Sequence, residues 1–110
     1  MTVHKKITDY AGSRPEKFYK DTLFQGDHLM LGINCFEPGQ DQHVHDHPDQ
    51  DKFYYVVAGS GLFTVGDQQI QGTTGELIFA AAGVPHGVTN NSEEQLIIFM
   101  GMAPPPKPKT

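Results

Sequence analysis

Cysteine is almost absent from the 110-residue chain. The single Cys35 allows no internal disulfide, so nothing marks an oxidising compartment. Basic residues are scarce as well: 8 Lys plus Arg stand against 13 Asp plus Glu, for a formal charge of −5. A net acid has no general electrostatic attraction for phosphate backbones or anionic membranes, so nucleic acid is not an expected partner. Long apolar runs are missing. The two longest, Leu77–Gly83 and Leu96–Ala103, fall far short of the ~20 residues that a membrane-spanning helix needs. Residues 1–6 (Met-Thr-Val-His-Lys-Lys) carry no apolar leader segment. The expected location is cytoplasmic, without membrane association. No solenoid-type repeat is present, and after the first 25 residues no segment has a sustained helical period.

What the chain does have is turn punctuation. It contains 12 glycines and 8 prolines with 37% hydrophobic residues, a composition too apolar for disorder and typical of a turn-rich β protein. Short apolar segments alternate with turn signals: His28–Glu37 before Pro38-Gly39, Lys52–Ala58 before Gly59-Ser60-Gly61, then Leu62–Val65, Gln68–Gln71, Glu76–Ala81, His86–Thr89 and Gln95–Met100. This spacing predicts one all-β sandwich or barrel. Phe24, Phe36, Phe53, Phe63, Phe79 and Phe99 are expected to fill it, with Cys35 as a small core residue. Three regions are expected: an N-terminal segment (1–22) packed outside the barrel, the barrel itself (23–103), and a proline-rich solvated tail (104–110). Pro15–Tyr19 is the place for one helical turn, with Ser13 as its cap.

The chemistry concentrates at His43-Val44-His45-Asp46-His47, which holds three of the six histidines at alternate positions. On a strand such residues share a face, about 6.5 Å apart along the chain. Imidazoles converging from one face suit neighbouring positions of a metal polyhedron. A further ligand is available in His86, which follows the Gly83-Val84-Pro85 bend and the small Ala80-Ala81-Ala82 run.

These residues resemble the cupin superfamily. Its first motif is a glycine, five residues, His-x-His, three or four residues, a glutamate, six residues and a glycine. The chain offers Gly39, five residues, His45-Asp46-His47, and later Gly59. The second motif is a glycine, five residues, Pro-x-Gly, two residues, a histidine, three residues and an asparagine. Here stand Gly75, five residues, Ala81-Ala82-Gly83, two residues, His86, three residues and Asn90. The resemblance implies a single-domain jelly-roll (double-stranded β-helix) barrel and a homodimer, with the first 25 residues crossing to the partner. It also implies a divalent metal ion on His45, His47 and His86, which could be Fe, Mn, Ni, Zn or Cu.

The motif glutamate is missing. Counting back from Gly59 puts Lys52 in its place; counting on from His47 puts Asp51 there, with Gln50 and His43 as further substitutes. Asp51 is a competent oxygen ligand, whereas a charged ammonium has no lone pair. A local bulge is therefore expected to turn Asp51 inward as the fourth ligand and leave Lys52 to solvent. The functional expectation is a metal-dependent oxygenase or isomerase/lyase acting on a small organic molecule. The alternative is a non-catalytic module that binds or senses a small ligand, with weak metal binding or none.

Overall fold

The computed structural model describes residues 1–107. After one 3₁₀ turn at Ile7–Tyr10 come nine strands: β1 (Tyr19–Gln25), β2 (Met30–Phe36), β3 (Asp41–His45), β4 (Asp51–Ala58), β5 (Ser60–Val65), β6 (Gln68–Thr73), β7 (Leu77–Ala80), β8 (His86–Thr89) and β9 (Leu96–Ala103). They form two antiparallel sheets, ordered β1-β2-β9-β4-β7 and β3-β8-β5-β6. The fold is thus the expected all-β jelly roll. Among the described residues no helix is long and apolar enough to cross a membrane.

Between the sheets lies the main core, built by alternation. β4 sends Tyr54 and Val56 inward; β9 sends Leu96, Ile98, Met100 and Met102; Phe36, Phe63, Ile78 and Val88 complete it. β2 is covered on both faces, which is why it reads as a continuous apolar run. Its outer residues Ile33 and Cys35 form a second cluster with Leu23, packed against Ile7, Tyr10 and Ala11 of the N-terminal segment.

That segment packs against the chain's own barrel. The Lys5 ammonium donates to the Leu23 carbonyl at 2.6 Å, Gln40 donates to the Arg14 carbonyl at 2.6 Å, and Gln95 donates to the Gly12 carbonyl at 2.8 Å. The helical turn falls at Ile7–Tyr10, while Pro15–Lys17 only bends the chain. The barrel's first strand begins at Tyr19, because its backbone completes the ladder against Cys35.

Not every phenylalanine fills the barrel. Phe36 and Phe63 do. Phe24 and Phe99 border the N-terminal cluster on the outer face of the larger sheet. Phe53 stacks edge-on with Phe99, and Phe79 is 58% exposed on edge strand β7 beside Leu77, 66% exposed. The tail, expected to be solvated, returns to the barrel: Gln50 donates to the Pro104 carbonyl at 2.9 Å, and Pro106 lines the cavity that Lys52 also lines. Residues 108–110 of that segment lie outside the described residues.

Candidate metal centre

Strand β3 sets the first half of the site through a bulge. Gln42 pairs with Val88 and His45 with His86, so one extra residue sits between them on β3. Strict alternation would give His43, His45 and His47 one face. The bulge instead places Gln42 and His45 on the cavity side, while the His43 side chain is 93% exposed. Gly87, opposite the bulge, makes it possible: a Cβ there would stand 2.8 Å from the Gln42 carbonyl oxygen and 2.9 Å from the Val44 nitrogen. The expectation that His43 shares the face of its neighbours is thereby corrected, because the inserted residue resets the phase of the strand.

The second half comes from the bend before β8. Gly83 takes φ of +81°, a conformation suited to glycine. Its N–H donates to the His47 carbonyl at 3.1 Å, and the neighbouring Ala82 N–H donates to the Asp51 carboxylate at 2.9 Å. These bonds tie the bend that carries His86 to the loop that carries His47. The motif asparagine, Asn90, is fully buried. Its amide donates to the Phe36 and Glu94 carbonyls and its oxygen accepts from Ser92, holding the far end of β8.

The three predicted histidines meet. The candidate ligand nitrogens of His45, His47 and His86 all lie within 4.8 Å of one another. The contact from His45 Nδ1 to the His43 carbonyl (2.7 Å) and that from His86 Nδ1 to the Val84 carbonyl (2.9 Å) each require Nδ1 to carry the proton. In both neutral rings Nε2 is then a free lone pair. His45 Nε2 faces His47 Nε2 at 3.0 Å, with His47 as the donor. His86 Nε2 is buried and has no partner among the described residues. An acceptor buried without a donor calls for an explanation, and a cation shared with two neighbouring imidazoles supplies one. Two nitrogens on one ion with bonds of ~2.1 Å at right angles stand about 3 Å apart, the separation of the His45 and His47 nitrogens. The donor set therefore fits a divalent transition metal.

The fourth position is the reverse of expectation. Asp51 is exposed and spends its carboxylate on the Ala82 N–H; it is not part of the histidine group. Lys52 is 3% exposed and lines the cavity with His45 and His47. No bulge intervenes between Lys52 and Tyr54, so Lys52 shares the inward face of Tyr54 and Val56. Its Nζ sits 4.8 Å from the centre of the Tyr54 ring. The other substitutes, Gln50 and His43, point away from the group.

Electrostatics follow from this placement. Burial, aided by the charge of Lys20, pushes the Lys52 ammonium down to about 8. Burial first, then the neighbouring imidazoles and Lys52, lowers His47; burial and Lys52 likewise lower His86 against its Val84 hydrogen bond. The shift favours the neutral ring, the form that binds a metal. Burial pushes the Cys35 thiol up, in keeping with a core residue and not a nucleophile.

The cavity beside the histidines measures about 440 Å³. Met30, Met100 and Met102 give it an apolar side; Asn34 and Gln42 give it polar groups, and Tyr54 fixes Gln42 by donating to its Oε1 at 2.7 Å. Gln42, Asn34 and Gly87 leave no mark in the sequence, since their roles depend on pairing. Lys52 does leave a signal there, its two-residue spacing from Tyr54 and Val56.

Comparison with known proteins gives a consistent picture. The family model described as Cupin domain matches residues 32–102. An uncharacterized protein of Streptomyces coelicolor is 30% identical over 77 residues, covering 70% of this chain and 71% of its own. One from Methanocaldococcus jannaschii is 24% identical over 107 residues, covering 94% and 86% respectively. Among solved structures, the TT1209 protein of Thermus thermophilus superposes with a TM-score of 0.92 at 34% identity, over 96% of this chain and all of that one (100%).

Proposed function

Because the chain belongs to the cupin family, we propose that His45, His47 and His86 hold one divalent metal ion and that the adjoining cavity takes a small organic molecule. The observation that carries this reading is the buried, partnerless Nε2 of His86 beside two other imidazole nitrogens. Three imidazoles suit Fe, Mn, Ni, Zn or Cu. When bound, such an ion supplies Lewis-acid or redox chemistry, which makes the reaction class oxygenase or isomerase/lyase. Lys52, with its proton affinity lowered toward neutrality, is placed to give or take a proton at Nζ. Gln42, fixed by Tyr54, orients a polar group of the ligand, and the three methionines exclude water from its apolar part.

Lys52 favours a second reading, a ligand-binding module with weak metal or none and no turnover. An ammonium about 4 Å from a divalent ion is disfavoured by several kcal/mol even at an effective dielectric near 20. Metal analysis before and after chelation, followed by assay of the metal-loaded protein against small organic acids, separates the two. Metal-dependent consumption of a substrate supports the enzyme; ligand-induced stabilisation without turnover supports the binding module.

The assembly proposed is a cytoplasmic homodimer. β7 is an edge strand of the larger sheet, and Leu77 and Phe79 on it are largely exposed next to Tyr55. An open edge flanked by apolar side chains is a surface that natural sheets cover, and a second copy covers both edges at once.

A further inference from the structure

A buried cation needs a counter-charge, and Lys52 has none among the described residues. It is 3% exposed and faces the cavity, and among the described residues no carboxylate pairs with it. The Tyr54 ring, 4.8 Å from Nζ, compensates only in part. Lys20 and Asp21 of β1 also border this cavity, but neighbours on a strand face opposite ways: Asp21 pairs with the outer residue Ile33 and Lys20 with the cavity residue Asn34, both side chains being exposed. Asp21 therefore does not neutralise the interior, where Lys52 is the buried positive charge. A buried charge is tolerated when it is paired and hydrogen-bonded.

From this geometry we infer that Lys52 is the seat of a ligand carboxylate, and that the ligand is a small monocarboxylate with an apolar body. The inference rests on the reading that this cavity is the ligand site. One buried charge matches a monoanion. Asn34 and Gln42 are neutral, and among the described residues the lining contains no arginine to hold a dianionic phosphate by paired bonds. Met30, Met100 and Met102 form the wall for an aliphatic chain, and a cavity of about 440 Å³ is of small-molecule size. Placing an anion on Lys52 also removes the repulsion that an ammonium exerts on a cation held by the histidines. The same lysine that opposes a metal when unpaired thereby becomes compatible with one when the acid is present.

The test is isothermal titration of chelator-treated protein with isovalerate, the neutral isovaleramide and inorganic phosphate. It uses wild type, Lys52→Met, Lys52→Arg and His45→Ala/His47→Ala, each shown to be folded by circular dichroism. The inference predicts that isovalerate binds wild type and the histidine variant, that Lys52→Met weakens it about tenfold or more, and that Lys52→Arg keeps it. Isovaleramide and phosphate should bind far more weakly. Undiminished isovalerate binding by Lys52→Met, equal binding of isovaleramide, tighter binding of phosphate, or no isovalerate binding by wild type would each overturn it. Loss of isovalerate binding in the histidine variant alone would put the anion at the histidines; the carboxylate seat then fails while the metal reading stands. Lys52-dependent binding by a wild-type protein that takes up no metal sustains the seat and removes the metal.

Discussion

At the scale of single residues, one ammonium shares a cavity with His45 and His47, behind which His86 is buried, and the charges of these groups decide what the cavity accepts. Replacing the ammonium by a carboxylate reverses the sign at the fourth position. Lys52→Glu should tighten divalent-ion binding by about two orders of magnitude or more, since several kcal/mol of repulsion becomes attraction; Asp51→Asn should change it little. Metal titrations of the two variants check this. Protons supply a second handle. Lys52 has a folded value near 8 against 10.5 when unperturbed, so between those pH values the unfolded chain binds more protons than the folded one. Stability must then rise with pH across that window and lose the gain as pH falls back through 8. The difference in unfolding free energy between wild type and Lys52→Met, measured by denaturant titration, should grow in favour of wild type from pH 8 to 10.5. His47 and His86 are lowered in the folded state, so the same sign applies below 6.5: stability falls as pH drops through that region.

At the scale of elements, strand phase determines which residues reach the cavity. β4 keeps strict alternation around Lys52, and its apolar partners Tyr54 and Val56 carry the lysine inward with them. Motif counting from His47 allows Asp51 after three residues and Lys52 after four, but a strand with a buried face fixes every residue of its parity, and that constraint decides between them. The parity is readable from Lys52-x-Tyr54-x-Val56. β3 shows the opposite case. Its bulge depends on the pairing with β8 and on the absence of a side chain at Gly87, neither of which the sequence of β3 reveals. His45, His47 and His86 are legible because their spacing follows two motifs, whereas Gln42 and the exposure of His43 require the ladder. Gly87→Ala pushes a methyl into the backbone of the bulge. It should cost about 1–3 kcal/mol and weaken metal binding, through displacement of His45, even where the fold survives. Thermal melts and metal titration of the same variant read both effects.

At the scale of the whole molecule, the larger sheet has two differently treated halves on its outer face. The N-terminal segment covers part of β1 and β2, where Leu23, Ile33 and Cys35 are buried; the β4–β7 half keeps Leu77 and Phe79 open to solvent. Alternation and turn signals make the strand count legible, but not this division, since a phenylalanine reads alike on either face of a sheet. If a second copy covers the open half, Leu77→Glu/Phe79→Glu should convert a dimer to a folded monomer. Light scattering with size exclusion measures that change, and a wild-type monomer would remove the proposed interface.

The central claim is that one ion belongs to three histidines drawn from β3, the loop that follows it and β8. Titration with Co(II), followed by visible absorption, tests it most directly. The account predicts one Co(II) per chain in Lys52→Glu, where repulsion is gone, and its loss when His45→Ala/His47→Ala is added to that variant. Full stoichiometric Co(II) retained after both histidines are removed would contradict it.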